Sequence, residues 1–166
     1  MRRRRHQPIT ADQARQVLAA VDTHDGLTPK QLEYCMTQSA RDKAILSLIM
    51  AAGISAAECA GLDTADIDMY RSTVTVSRRN AKMSMPFSEE TAAHLQSWLE
   101  QRVLIRKEPD AQDAVFLSSR RKRMTVRNIE ILVAKYVERA DLDPSVTSKK
   151  LRGAAQTHDG AATKGR

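Results

Sequence analysis

The sequence predicts a mainly helical α+β domain with one small antiparallel β-hairpin or sheet. Three observations carry this. Apolar residues recur at three- and four-residue spacing behind helix-capping signals along most of the chain. One stretch alone, from Ser72 to Phe87, alternates with period two. Aromatic residues make up only 4%, while seven methionines and many alanines are left to fill an interior. The 166 residues, 42% of them apolar, suffice for one hydrophobic core and exclude a disordered chain.

The elements follow in order. Thr10 and Gln13 stand at capping-box spacing before Ala14, Val17, Leu18 and Val21, which predicts a first helix that Gly26 has ended. Thr28, Pro29 and Gln31 open a second start, with proline at the first helical position. "RDKAILSLIMAAG" is apolar nearly all round and reads as a central buried helix that stops at Gly53. "STVTVS" and "KMSMPF" form a hairpin whose tip carries Arg78, Arg79 and nearby Lys82. Ser88 caps a long helix with Leu95, Trp98, Leu99 and Val103 on its apolar side. "AVFL" reads as a short strand, "SSRRKRM" as a basic turn, and Thr125 as the start of a helix striped by Val126, Ile129, Leu132, Val133, Tyr136 and Val137. Thr147 or Ser148 caps a last helix, "SKKLRGAAQTH", before a polar tail.

Charge is unevenly placed. Residues 1–10 hold four arginines and no acid, residues 11–70 hold four basic and nine acidic side chains, and residues 71–166 hold nineteen basic and eleven acidic. A basic arm and a basic second half around an acidic section suit a polyanion, most simply nucleic acid. Cys35 and Cys59 lie in apolar helical contexts without partners at metal-ligand spacing, so they read as reduced buried thiols; no metal or cofactor is expected. No apolar run reaches the roughly 20 residues that span a bilayer. No apolar segment follows "MRRRRHQP", so a cytoplasmic protein without membrane contact is expected.

The string "RDKAILSLIMAAGI…E…GL…DID", the hairpin with proline before "SEE", "AVFLSSRRKRMT", "KYVERADLD" and "T…LR…TH" together resemble the tyrosine recombinase (phage integrase) catalytic domain. The resemblance divides the chain into a basic arm (1–8), an integrase-like domain (9–158) with an inserted segment at about 23–40, and a tail (159–166). It implies transesterification at a DNA phosphate: a tyrosine attacks, two arginines hold the non-bridging oxygens, and a hairpin lysine protonates the leaving oxygen. Ser55 falls where the first arginine stands in the family pattern, and Ala57 where its serine stands. Arg78 falls on the hairpin lysine; Lys82 takes that place only if the register slips. Lys149 replaces a histidine, while Glu58, Arg152 and His158 match. Tyr34, Tyr70 and Tyr136 all precede Arg152, and the sequence ends fourteen residues after it. The expectation is therefore a protein that is not an enzyme.

The expected partner is double-stranded DNA. Its contacts are the hairpin (Arg78, Arg79, Lys82), the basic turn (Arg120, Arg121, Lys122, Arg123), the helix after Thr125 (Arg127, Asn128, Lys135, Arg139) and the "SKKLR" helix start (Lys149, Lys150, Arg152). The arginine arm either lies in a minor groove or is a loose tail. Half a clamp on DNA calls for a homodimer or a second DNA-bound protein. Three roles stay open: a catalytically inactive DNA-binding regulator of transcription or replication on a mobile element such as a plasmid, a protein-interaction module accessory to an active recombinase, and a truncated integrase remnant.

Overall fold

The computed structural model describes residues 9–154; the arm (1–8), His158 and the tail (159–166) lie outside them. Helix α1 (Ala11–Ala19) and helix α2 (Pro29–Ala52) both begin in capping boxes, Thr10 with Gln13 and Thr28 with Gln31. Residues 23–40 comprise a left-handed turn at Gly26 (φ 75°) and the first half of α2, so the second start and the central helix are one continuous element. That first half is largely exposed, Met36 at 61%, whereas Ala44 to Met50 are buried.

After helix α3 (Ala56–Ala60) the chain forms a three-stranded antiparallel sheet, β1 (Ile67–Asp68), β2 (Thr73–Arg78) and β3 (Ala81–Pro86), in that order. Arg78 pairs with Ala81, so Arg79 and Asn80 make a two-residue turn, both at positive φ (48° and 62°). Such a turn matches the twist of its strands. Val74 and Val76 alternate inward, which puts Arg78 on the inner face; Lys82, paired with Ser77, alternates to the other face. There is no register slip.

Helix α4 (Glu89–Leu104) is capped by Ser88 and packs against α2 through Leu95 and Trp98. Its last turn differs from expectation: Arg102 is buried and Val103 is 73% exposed. "AVFL" is also not a ladder strand. It forms only isolated bridges, Asp63 with Ala114 and Leu117 with Arg123, because side chains take its carbonyls. Trp98 Nε1 donates to Val115 O (2.8 Å), Arg102 Nε to Ala114 O (2.7 Å) and Arg41 Nη1 to Leu117 O (3.0 Å). Helix α5 (Val126–Arg139) buries Ile129, Leu132, Val133, Tyr136 and Val137, while Val126 stays 43% exposed. Helix α6 (Ser148–Leu151) is a single turn, shorter than expected. Gly153 turns left-handed (φ 72°) and donates its N–H to Ile49 O (3.0 Å). No helix among the described residues is long and apolar enough to cross a membrane.

The core holds one ionic network. Asp42 is fully buried on α2, where its carboxylate accepts from Arg41 Nε (2.9 Å) and from the Tyr136 hydroxyl of α5. A buried carboxylate persists only when such donors replace water. Burial, with Asp42 beside it, pushes the Tyr136 hydroxyl far above its ordinary range. Tyr136→Phe leaves one Asp42 oxygen short of its buried donor and is expected to cost about 1–3 kcal/mol, read as a lower urea midpoint with unchanged slope. An unchanged midpoint would show that the bond contributes nothing.

Candidate functional site

The turn from α2 into α3 is where distant parts of the chain meet. Gly53 adopts a left-handed conformation (φ 68°), ends α2 and turns the chain toward Ser55. The Ser55 hydroxyl accepts the Glu58 N–H (3.1 Å), and Glu58 Oε1 accepts the Ser55 N–H (3.3 Å). This is a capping box, so the small serine is the residue that starts α3. Ala56, Cys59 and Ala60 are buried beneath it, and burial pushes the Cys59 thiol far up.

Two arginines close on this turn. From the hairpin, Arg78 Nε donates to Glu58 Oε2 (3.0 Å) and Nη2 to Gly53 O (3.2 Å). From the end of α6, Arg152 Nε donates to Gly53 O (2.5 Å) and Nη2 to Glu58 Oε1 (3.3 Å). Burial works against the Glu58 charge. The bond from Arg78, the bonds from Ser55 and the Arg78 charge outweigh it and hold the carboxyl below its ordinary range. A third arginine, Arg123, is fixed at the other end of α3. Its Nη1 donates to Ala60 O (3.2 Å) and Leu62 O (2.9 Å), and its Nη2 pairs with Asp63.

The remaining predicted contacts divide into two groups. Arg79, Lys82, Arg120, Lys122, Arg127 and Lys149 are exposed and form no ion pair among the described residues. Arg121, at φ 65° in the tight turn of the basic loop, reaches Glu108 (3.6 Å). Lys150 Nζ donates to Ser145 Oγ (2.9 Å). Asn128 completes the capping box of α5, its Oδ1 accepting from the Thr125 N–H (3.2 Å) and hydroxyl (2.8 Å). Lys135 and Arg139 turn inward over the Tyr136 ring. Lys135 Nζ stands 3.9 Å from Asp42 Oδ2, and Arg139 Nη2 is 3.8 Å from Cys35 Sγ. Burial pulls Lys135 below the ordinary lysine range despite the opposing pull of Asp42.

Two features of the site escaped the sequence reading, and both had a signal. Ser-x-x-Glu at 55–58 spells a capping box. The β2 alternation places Arg78 on the same face as Val74 and Val76. Beneath the site, the adjacent pair Arg41–Asp42 carried none, because its partners lie 76 and 94 residues away.

A match to the phage integrase family covers residues 7–158. The chain belongs to that family. Tyrosine recombinase XerC of Corynebacterium efficiens is 37% identical over 125 residues, covering 74% of this chain and 39% of the relative. XerC of Bifidobacterium longum is 36% identical over 135 residues, covering 75% and 38%. The chain thus spans about two fifths of the length of these curated relatives. Two solved structures share the fold. XerA recombinase has a TM-score of 0.74 at 22% identity and covers 92% of this chain and 51% of its own. The Tn1549 transposon integrase in complex with circular intermediate DNA has a TM-score of 0.71 at 17% identity and covers 98% and 55%.

These matches overturn the expectation that the protein is not an enzyme. The relatives are recombinases, and the matched segment belongs to the catalytic domain of that enzyme family. The position of the last tyrosine in a chain of 166 residues carries no weight against relatives of which it spans only about two fifths.

Two measurements check the turn. Ser55→Ala removes the N-cap acceptor and is expected to cost about 1 kcal/mol of stability, seen as a lower melting temperature. Because the folded pKa of Glu58 is depressed, its contribution is complete above the unfolded value near 4.5 and is lost as pH falls through the folded value. Glu58→Gln is expected to flatten that acid limb in urea titrations from pH 7 to 3, at a cost of about 1–3 kcal/mol at neutral pH. Identical limbs for the two proteins would remove Glu58 as the sensor.

Proposed function

We propose that the chain engages duplex DNA as the phosphate-holding part of a tyrosine recombinase, acting in DNA recombination and integration in the cytoplasm. The observation that carries this is the anchoring of three basic segments on one five-residue helix. Arg78 ties the hairpin to α3 through Glu58, Arg123 ties the basic loop to it through Ala60 O, and Arg152 ties the end of α6 through Glu58. Each anchor leaves exposed cations beside it: Arg79 and Lys82, Arg120 and Lys122, and Lys149. Cations held on a rigid frame suit the phosphates of a duplex, and such contacts set register and orientation. On this reading Arg127, exposed at the start of α5, and the amide NH2 of Asn128, whose Oδ1 caps that helix, meet base edges. On this reading a second copy of the chain, or another DNA-bound protein, joins it on the duplex.

The same surface would serve a regulator of transcription or replication that occupies a site on a plasmid or other mobile element. Ser55 favours that second reading, since a helix-capping hydroxyl stands where the family pattern has a phosphate-holding arginine.

Salt dependence tests the DNA contact. The triple change Arg120→Ala, Arg121→Ala, Lys122→Ala is expected to lower the slope of log K against log salt by about 2–3 and to weaken all duplexes alike. An unchanged slope would take the basic loop off the DNA. A selection from random duplexes should return one preferred site; uniform weak binding would count against both readings.

A further inference from the structure

We propose that Cys35 is a site of reversible oxidation by peroxide, and that Arg139 receives the oxygen added to its sulfur. This chemistry is independent of the DNA-binding reading and uses the two α5 cations that turn inward, Lys135 and Arg139.

Cys35 lies in the exposed half of α2 and meets the end of α5, where Arg139 Nη2 stands 3.8 Å from its sulfur. Charge on that sulfur acts on both Lys135 and Tyr136. The thiol, the two cations and the Tyr136 ring therefore form one electrostatic cluster. One donor in it has nothing to bind: Arg139 Nη1 is buried and has no hydrogen-bond partner among the described residues. A buried cationic N–H without an acceptor is costly, and a guanidinium favours an anionic oxygen. A reduced thiol supplies no such oxygen; a sulfenate does.

Access follows from position. Cys35 is the one buried side chain of residues 22–40, and it is still 8% exposed. A peripheral helix half held by a single buried contact opens locally more readily than a core element. Reactive thiolates sit beside cations within reach of solvent, and Cys35 meets both conditions. Cys59 is fully enclosed in the core, and burial alone acts on its thiol. With hydrogen peroxide, the Cys35 sulfur attacks one peroxide oxygen, so an S–O bond forms as the O–O bond breaks. The sulfur loses two electrons, and the departing hydroxide takes up the proton that the thiol gave up and leaves as water. A thiol reductant returns the sulfenic acid to the thiol, releasing water and forming its own disulfide.

Equimolar hydrogen peroxide, added to the protein with dimedone to trap sulfenic acid, tests the site by peptide mass spectrometry. The adduct is expected on Cys35 and not on Cys59. Labelling of both cysteines alike, of Cys59 alone or of neither overturns the proposal. Iodoacetamide alkylates the same sulfur without adding an oxygen for Arg139 to receive. Arg139→Gln should therefore slow the peroxide reaction of Cys35 by about tenfold more than its alkylation, the loss of one charge-assisted bond. An unchanged ratio of the two rates in a folded variant overturns the part given to Arg139. If that variant does not fold, the Arg139 Nε–H signal of the unaltered protein decides. It is expected to shift on peroxide treatment and to return with dithiothreitol; an unmoved signal overturns the proposal.

Discussion

The site depends on a backbone that turns left-handed at Gly53. With φ at 68°, that residue stops a 24-residue helix and lets Ser55 begin the next one two positions later. Any residue with a Cβ would pay about 1–2 kcal/mol for the same conformation. The turn brings the Gly53 carbonyl and the Glu58 carboxylate within reach of the same two guanidiniums, so two acceptors five residues apart act as one socket. The hairpin and the end of α6 are both anchored on it.

The central helix plays the complementary part. Its buried half supplies the floor of the core, and Asp42 binds it to α5 through the Tyr136 hydroxyl. Gly153 returns the chain to Ile49 on the same helix, which delivers Arg152 to the turn. Removing one partner of this network would leave a charge unpaired inside the protein, which is strongly destabilising.

Local features were legible in the sequence. The boxes at Thr10 and Thr28 use two residues three apart, and the hairpin uses a two-residue turn, so short-range chemistry defines them. Features that need a distant partner were not. Arg102 looks like a surface residue beside Val103 until the carbonyls of Gln112 and Ala114 are placed against it. The short apolar run "AVFL" resembles a strand, yet the carbonyls of Ala114 and Val115 accept from Arg102 and Trp98. For the site, residue types were readable from order and spacing. Which cations face outward was decided by Asp42, Cys35 and Tyr136, from helices the sequence cannot bring together.

Arg41, Arg102 and Arg123 share a habit: each uses its guanidinium to rivet backbone carbonyls of other segments. A nominal charge of +7 therefore overstates what a polyanion meets. Bonds from a buried cation to a neutral carbonyl are also poorly screened by dissolved ions, unlike exposed charge on a phosphate. The molecule thus separates its two electrostatic tasks, one insulated and one open to the medium. Added salt should therefore weaken whatever its exposed cations hold long before it loosens the protein itself.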